Sequence, residues 1–340
     1  MKKEIKINFL HQGGDYDKEN NFFTNLLRKK YNVKISDKPD YVFFSVYSTL
    51  NKSFSNDLKN EEIKKGGLKK LLKPLLKKEF VKDFIWFLVS KKIIGKSKIP
   101  EIRGDFKKIF FTHENVVPDM KKCDWAFSFC YEDEFKHPKH MRIPYYFVAL
   151  EGESLKKNKI DFKEIKKEKT EFCNFIYKAH FPLRIKFFKK LSKYKKVHSP
   201  GSCMNNFPAI GNFKDPNDQR ASKDCYKDKQ LFLKKYKFTI AFENTSYSGY
   251  TTEKLVHPML ANSIPIYWGN PNVGRDFNKK SFINVKDFKD FNAVIKRIKE
   301  IDKDDKLYKK ILNEPWLNEN SPNKWMNEGQ ILKRMRDIFG

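Results

Sequence analysis

The sequence predicts an α/β protein with two doubly wound domains, in which helices cover mostly parallel sheets. Short apolar runs alternate with helical patterns in both halves of the chain, and this alternation is typical of parallel sheets. The 340 residues suffice for two domains of ordinary size. Hydrophobic residues make up 39% of the chain and aromatic residues 15%, so a core can form and complete disorder is excluded.

In the first half, we expect a strand at Ile5–Leu10 and a helix at Asn21–Lys30, whose apolar residues share one face. Further short strands are predicted from their Val, Phe, Tyr and Trp content: Tyr41–Phe44, Lys108–Thr112 and Trp125–Phe129. A polar, Lys-rich stretch at 151–170 predicts a linker. We therefore place a domain boundary there, with residues 1–160 as the first domain and residues 161–340 as the second.

The second half repeats the same alternation. Its predicted strands are Phe172–Tyr177, Lys195–His198, Phe238–Phe242 and Ile264–Trp268. Helical patterns lie between them at Phe187–Tyr194 and Leu255–Ala261. Open α/β sheets bind ligands beyond the carboxyl ends of their strands, so the loops that follow these strands contain the candidate binding residues.

The chain is strongly basic, with 71 Lys and Arg residues against 42 Asp and Glu residues and a formal net charge of +29. Such a charge indicates anionic partners and does not determine a fold. Nucleic acid, an anionic membrane surface and a polyanionic substrate are the candidates. The sequence has no zinc-finger, recognition-helix or RNA-binding signature, so we expect no nucleic-acid partner.

Residues 60–98 form a basic amphipathic stretch. Leucines recur at helical spacing from Leu68 to Leu76, lysines fill the other positions, and Pro74 divides the pattern into two short helices. Attachment to an anionic membrane is one interpretation. The other is that the leucine face packs on the first domain, and the sequence leaves both open.

The cysteine content predicts neither a disulfide framework nor a zinc site. The number is odd and no C-x-x-C pair occurs, which favours a reducing cytoplasm; the cysteines are Cys123, Cys130, Cys173, Cys203 and Cys225. Lysines interrupt the first ten residues, which does not fit a signal peptide. The longest strongly apolar run, Phe84–Val89, is far shorter than the roughly 20 residues of a spanning helix. We expect a cytoplasmic protein, peripheral on the inner membrane if residues 60–98 bind lipid.

The densest functional pattern lies at Tyr236–Asn272, where strand, polar loop, helix, strand and second loop follow one another. Glu243 and Asn244 follow the first strand, and Gly269-Asn270 follow the second. The free N–H groups and the dipole at a helix N-terminus favour anions. Lys254 adds a positive charge in the first turn, so the segment predicts a binding site for a diphosphate.

Three motifs of this segment are Phe-Glu-Asn at 242–244, Gly-Tyr-Thr-Thr-Glu-Lys at 249–254 and Ile-Pro-Ile-Tyr-Trp-Gly-Asn-Pro-Asn at 264–272. Together they closely resemble the donor-binding signature of the α-1,3/4-fucosyltransferase family of bacterial type. The resemblance is strong over residues 172–291. It is weaker in the first half, at Thr-His-Glu-Asn (112–115) and Met-Arg-Ile-Pro (141–144), and residues 60–98 have no counterpart in the family.

This resemblance implies two Rossmann-like domains that face each other across a cleft, the GT-B type of glycosyltransferase. The second domain would bind the donor, GDP-fucose, and the first would bind the glycan acceptor. The implied reaction is an inverting transfer of L-fucose in α-1,3 or α-1,4 linkage, for example to N-acetylglucosamine of a bacterial surface glycan such as lipopolysaccharide. The alternatives are another GDP-sugar or an unusual acceptor, and, from a different class, a basic membrane- or nucleic-acid-binding protein.

The resemblance also implies catalytic roles. Glu114 would be the general base that takes the proton of the acceptor hydroxyl, although a surface or capping role is the alternative for an isolated Glu. Arg184 and Lys254 would neutralise the departing diphosphate. No cluster of metal-ligating residues occurs in the donor segment, so we expect no metal and no cofactor besides the donor. Donor-binding roles are implied for Ser199, Gly201, Asn206, Asn244, Tyr250, Thr252 and Glu253.

Overall fold

A computed structural model describes residues 2–13, 16–47, 99–150, 152–210 and 223–340. The chain divides into two compact units. The first comprises Met1–Glu151 together with Lys324–Gly340, and the second comprises Gly152–Asn323. The amphipathic stretch at 60–98 lies outside the described residues.

The first unit is built on one parallel sheet. Its strands are β1 (Glu4–Leu10), β2 (Asn32–Ile35), β3 (Tyr41–Phe44), β4 (Lys107–Phe110), β5 (Trp125–Ser128) and β6 (His140–Arg142). They lie in the order β2-β1-β3-β4-β5-β6, and neighbouring strands are parallel. The two edge strands, β2 and β6, are not predicted from the sequence, because three or four residues carry too little apolar pattern.

Aromatic packing holds helix α1 (Phe22–Arg28) on this sheet. The ring of Phe23 lies 4.8 Å from the rings of both Phe43 and Phe111, and it is buried. The Asn21 side chain caps the start of the helix by accepting hydrogen bonds from the backbone N–H groups of Phe23 and Thr24. A short helix, α2 (Tyr145–Val148), follows β6.

The second unit has a second parallel sheet. Its strands are β7 (Glu171–Asn174), β8 (Val197–His198), β9 (Tyr236–Phe242), β10 (Ile264–Trp268) and β11 (Ile283–Asn284), in the order β11-β10-β9-β7-β8. Its helices are α3 (Phe162–Glu168), α4 (Pro182–Leu191), α5 (Lys223–Lys234), α6 (Glu253–Leu260), α7 (Phe291–Lys303) and α8 (Asp305–Asn313). The central strand β9 is almost wholly buried, which explains its continuous apolar sequence.

The prediction of a linker at 151–170 is wrong. Part of it forms helix α3, which Asp161 caps by accepting hydrogen bonds from the N–H groups of Lys163 and Glu164. Leu155 and Ile165 are buried in the second unit. Most lysines of the stretch are exposed, whereas Lys169 is buried and donates from Nζ to the backbone oxygens of Lys234 and Ala261. The stretch is therefore packed on the second unit and is not a flexible connection.

The C-terminal helix, α9 (Glu328–Phe339), belongs to the first unit and not to the second. Phe339 is buried and its ring lies 4.4 Å from that of Tyr41. Just before the helix, Trp325 stacks on the guanidinium of Arg142, 4.3 Å from the ring centre. The predicted domains, 1–160 and 161–340, therefore differ from the observed units at both ends, because the apolar face of α9 completes the first core. No helix in the described ranges is long and apolar enough to cross a membrane.

Candidate active site

The carboxyl edge of the second sheet brings most of the predicted site residues together. Strand β9 ends at Phe242, and the loop 243–252 leads directly into helix α6. Strand β10 ends beside it at Trp268 and is followed by the loop 269–272. Parallel strands place such loops side by side at one edge of the sheet, where open α/β folds bind ligands.

Arg184, in the first turn of α4, is a buried cation with a fixed orientation. Its guanidinium stacks on the rings of Tyr177 and Phe181, at 4.1 and 4.7 Å from their centres. Its Nη2 donates to the backbone oxygen of Phe242 at 2.8 Å and to Oδ1 of Asn244 at 2.7 Å. Burial lowers the pKa of Arg184, but a guanidinium remains charged at neutral pH.

The charge of Arg184 is not cancelled by a salt bridge within the described residues. Its Nε is buried and has no hydrogen-bond partner there. A buried polar group without a partner is costly, and an anionic ligand would satisfy it. The geometry therefore fits the predicted role of Arg184 in phosphate binding, which stays a prediction.

Lys254 is the second cation, in the first turn of α6. Its Nζ lies 3.2 Å from Oε1 of Glu253 and 3.6 Å from Oε2 of Glu243. Burial opposes the charged form, yet the two carboxylates outweigh it and the pKa of Lys254 is raised. The charge of Arg184 acts in the opposite direction on Lys254, so the two cations are close enough to repel each other. A bound diphosphate would relieve that repulsion.

Glu243 is a buried carboxylate that supports this arrangement. It accepts hydrogen bonds from Thr252, from N at 2.8 Å and from Oγ1 at 2.8 to 3.0 Å. Burial raises the pKa of Glu243, while Lys254 and Thr252 lower it. Gly269 packs on Glu243 so closely that a Cβ atom would lie 2.4 Å from its Cγ. Thr252 is also the N-cap of α6, so one residue joins the carboxylate to the start of the helix.

The loop before α6 is held by the amide of Asn270. Its Oδ1 accepts from the N–H groups of Gly249 and Asn272 at 2.9 Å, and its Nδ2 donates to Oγ1 of Thr251 at 3.1 Å. Gly249 has a φ of +80°, a conformation that glycine adopts without strain. Tyr250, which follows it, is buried. Burial lowers the pKa of Arg184, and an electrostatic interaction with Tyr250 acts in the opposite direction.

The predicted residues Ser199, Gly201 and Asn206 shape a neighbouring loop after β8. Ser199 donates from Oγ to the oxygen of Cys203 at 2.7 Å, and its own N donates to Oδ1 of Asn206 at 2.7 Å. A Cβ on Gly201 would lie 2.3 Å from the backbone oxygen of Tyr177. These contacts are internal to the protein, and direct donor binding by the three residues stays a prediction.

Glu114 lies in the first unit. It follows strand β4, is half-buried, and its N–H donates to Oγ1 of Thr112 at 3.2 Å. The hydroxyl of Thr112 is in turn 3.0 Å from that of Ser45. The position after a strand of the first sheet agrees with the expected geometry, and its role as a base stays a prediction.

Tyr177 is a site residue that the sequence does not predict. Its hydroxyl donates to the oxygen of Ile240 at 2.9 Å and accepts from the N–H of Phe242 at 2.6 Å, while its ring supports Arg184. Burial raises the pKa of Tyr177 to about 12, so the hydroxyl remains protonated. The available signal is its place at the end of the predicted strand Phe172–Tyr177, seven residues before Arg184.

Two family profiles match this chain. The profile for the C-terminal part of glycosyltransferase family 10, the fucosyltransferases, matches residues 165–331. The profile for the N-terminal domain of α-(1,3)-fucosyltransferase FucT matches residues 7–58 and 94–149. The chain belongs to glycosyltransferase family 10. This confirms the predicted resemblance and the membership of a glycosyltransferase family that it implies.

Relatives of this family 10 chain include an α-(1,3)-fucosyltransferase of Helicobacter pylori, 30% identical over 68% of this chain and 52% of that protein. GDP-fucose protein O-fucosyltransferase 3 of Xenopus tropicalis is 32% identical over 50% of this chain and 37% of that protein. The chain thus spans about half or less of the length of these two curated relatives.

A crystal structure of an α1,3-fucosyltransferase with GDP-fucose resembles the family 10 chain with a TM-score of 0.67, at 23% identity. The match covers 99% of this chain and 91% of that one. The similarity confirms the predicted α/β fold of GT-B type, with two parallel sheets.

The predicted donor residues of this family 10 chain all lie within the C-terminal profile, and Glu114 lies within the N-terminal one. The interval between 58 and 94 has no match in the N-terminal profile, close to the predicted insertion at 60–98. Across the described ranges, no group of three or more His, Cys, Asp or Glu side chains is placed to hold a metal ion. Independence from metal stays a prediction.

Proposed function

We propose that this chain transfers L-fucose from GDP-fucose to a hydroxyl of an acceptor glycan, with inversion at the anomeric carbon. The observation that carries the proposal is the pair of cations at the carboxyl edge of the second sheet. Arg184 is buried and has no carboxylate partner among the described residues, and Lys254 stands at a helix N-terminus beside it. The solved complexes of similar fold with GDP and GDP-fucose support a GDP-linked donor.

The proposed reaction is a single displacement. The acceptor oxygen attacks the anomeric carbon while the bond from that carbon to the β-phosphate oxygen breaks, and the electron pair of this bond leaves with GDP. Glu114 accepts the acceptor proton, which a positioned carboxylate accelerates by roughly 10²–10⁴-fold. Arg184 and Lys254 stabilise the negative charge that grows on the diphosphate. Fixed cations there would allow transfer without a metal.

The acceptor and the linkage belong to the proposal as well. We propose an α-1,3 or α-1,4 linkage to a glycan such as N-acetylglucosamine of lipopolysaccharide, supported by the α-(1,3) relative from Helicobacter pylori. The Xenopus relative is named for transfer to protein, so an acceptor panel should include hydroxyl-bearing peptides. A cytoplasmic location, with residues 60–98 on an anionic inner membrane, would place the enzyme near lipid-linked acceptors; the basic sequence pattern supports this.

Calorimetry with a donor panel tests the function. We expect GDP and GDP-fucose to bind, and UDP-galactose and CMP-sialic acid not to bind. Mass spectrometry of the reaction with glycan acceptors should then show one added fucose, with the same rate in EDTA. Binding of a UDP-sugar without a response to GDP would reject the donor assignment, and transfer of mannose from GDP-mannose would change the sugar. Loss of transfer in EDTA, restored by Mn²⁺, would reject metal independence.

A further inference from the structure

Lys229, on helix α5, extends the charged network of the donor site to a second helix. Its Nζ lies 3.1 Å from Nδ1 of His257, which is buried in the second turn of α6. The side chain is half-buried, and burial lowers the pKa of Lys229 while the charge of Glu253 raises it. Lys229 therefore lies beside the first two turns of α6, which carry Glu253, Lys254 and His257.

The interaction with Glu253 is mutual. Burial would raise the pKa of Glu253, but the ammonium groups of Lys254 and Lys229 lower it, and the net shift is downward. The carboxylate of Glu253 thus interacts with two cations, Lys254 and Lys229. Removing either cation leaves a partly buried carboxylate with one partner, which weakens its fixed position.

His257 can accept a hydrogen bond from the ammonium group only through an unprotonated Nδ1. An ammonium group is a donor without an acceptor site, so the 3.1 Å contact requires the tautomer of His257 with its proton on Nε2. The edge of the Tyr226 ring, 5.0 Å from the His257 ring, packs against the same group. Two residues of α5 thereby contact His257 in the second turn of α6.

The cavity beside Lys229 is too small for a nucleotide. Lys229 lines this cavity of about 50 Å³ together with Tyr177, Glu253 and Lys254. Ligand pockets for molecules of drug size are roughly 300–1,000 Å³, so this cavity does not hold a nucleotide. Any effect of Lys229 on the donor must pass through the side chains that it fixes.

We propose that Lys229 is a positioning residue of the donor site, which holds Glu253 and α6 so that Lys254 presents its ammonium group to the diphosphate. This inference rests on the proposed function. Its physical basis is that carboxylates and ammonium groups alternate in the order Glu243, Lys254, Glu253 and Lys229, so that each group lies next to the opposite charge. With Arg184 included, the network has three cations and two carboxylates, a surplus of one positive charge. Loss of Lys229 removes that surplus.

Three variants at this position separate charge from hydrogen bonding. Lys229→Met removes both, Lys229→Gln keeps a donor for His257 without the charge, and Lys229→Arg keeps both. The matched control is Lys227→Met, because Lys227 is an exposed residue on the same helix. Calorimetry gives the Kd for GDP and for GMP, steady-state kinetics give kcat and both KM values, and thermal melting reports folding.

We expect the Met and Gln variants to bind GDP about tenfold more weakly, the loss typical of one charged contact. The loss should be smaller for GMP, and it should appear in the KM for GDP-fucose and not in the KM for the acceptor. The Arg variant and Lys227→Met should match the wild type. Since the Gln variant retains the contact to α6, it also serves if the Met variant does not fold.

Folded Met and Gln variants with the GDP affinity of the wild type would overturn the role of Lys229 and leave the proposed function intact. An equal loss of affinity in the Arg variant, or an equal loss for GMP and GDP, would reduce Lys229 to a packing residue. A wild-type protein that does not bind GDP would instead reject the proposed function, and this inference with it.

Discussion

Arg184 donates a hydrogen bond of 2.7 Å from Nη2 to Oδ1 of Asn244, and this contact joins helix α4 to the end of strand β9. The sequence predicts both residues as ligands of one donor, but it does not show that they bind each other. With Oδ1 occupied, Asn244 has its Nδ2 group left as a donor for a ligand oxygen. A change at either residue should therefore alter the other.

The first prediction concerns the planar group of Arg184. We expect Arg184→Lys to weaken GDP binding at least tenfold, because an ammonium group cannot donate to Phe242 and Asn244 while stacking on Tyr177. Calorimetry with GDP measures the loss. Lys186→Arg, at an exposed position of the same helix, is the control. A folded Arg184→Lys protein with unchanged affinity would show that charge alone suffices.

A second prediction follows from the position of Lys254 between two carboxylates. Lys254→Met should reduce kcat by about 10²–10³-fold, the effect of removing one group that stabilises developing charge. Burial raises the pKa of Glu243 above its ordinary value and Lys254 opposes that rise, so the loss of Lys254 raises the pKa of Glu243 further. Carboxyls with raised pKa values stabilise the fold at low pH and lose that contribution as the pH rises.

The melting temperature of Lys254→Met, relative to the wild type, should accordingly be lower at pH 8 than at pH 5. Differential scanning calorimetry at the two pH values measures it. The same difference at both pH values would mean that Lys254 does not control the ionisation of Glu243.

The third prediction uses the contact of Gly201 with the backbone of Tyr177. Gly201→Ala would place a Cβ 2.3 Å from the oxygen of Tyr177, and a backbone atom cannot move away as a side chain can. We expect a lower melting temperature and weaker GDP binding, because displaced Tyr177 no longer supports Arg184. In Gly274→Ala, the control, the nearest atom is 3.0 Å away in the flexible side chain of Lys279. Equal behaviour of the two variants would contradict the assignment.

The sequence predicts the fold class and most of the donor site because both depend on local patterns. Strand β9 is a continuous apolar run, and the residues after it stay together in the chain. Glu253 and Lys254 are therefore found from one motif. The helix that follows is predicted within two residues of its observed start at Glu253.

Features that depend on distant contacts are not predictable in this way. Residues 328–339 fall within the predicted second domain, 161–340, yet Phe339 of α9 packs on Tyr41 near the other end of the chain. No sequence pattern distinguishes Lys229 from the other lysines, and only the fold places it beside His257. The prediction of a linker at 151–170 is wrong for a related reason. Charged residues dominate that stretch, and its buried residues Leu155 and Ile165 are too widely spaced to form a visible apolar pattern.

The fourth prediction tests the proposed base. Glu114→Gln should reduce kcat about 10²–10⁴-fold and should leave the affinity for GDP-fucose unchanged, because the base acts on the acceptor. Rapid-quench kinetics and calorimetry measure the two effects. Glu101→Gln, at an exposed site of the same unit, is the control. Parallel loss of donor affinity would assign Glu114 a structural role.

The last prediction concerns the stability of the first unit below neutral pH. His140 is buried, and its Nε2 lies 2.8 Å from Oγ of Ser128. Burial, with a smaller effect of Arg334, lowers the pKa of His140 from 6.5 to about 4. Its Nδ1 is buried without a hydrogen-bond partner within the described residues, so a second proton would create an unpaired donor.

The pH dependence of stability depends on how many protons His140 binds in the folded and in the unfolded state. Between pH 6.5 and about 4, the unfolded chain binds a proton at His140 and the folded chain does not, so stability falls as the pH decreases through this window. The difference amounts to about 3 kcal/mol. In His140→Gln, which has no titrating group there, we expect a smaller decrease of the melting temperature from pH 6.5 to 4. Ser128→Ala keeps the imidazole and should keep the full decrease although it is less stable; a His140→Gln protein with the wild-type pH dependence would exclude His140 as its source.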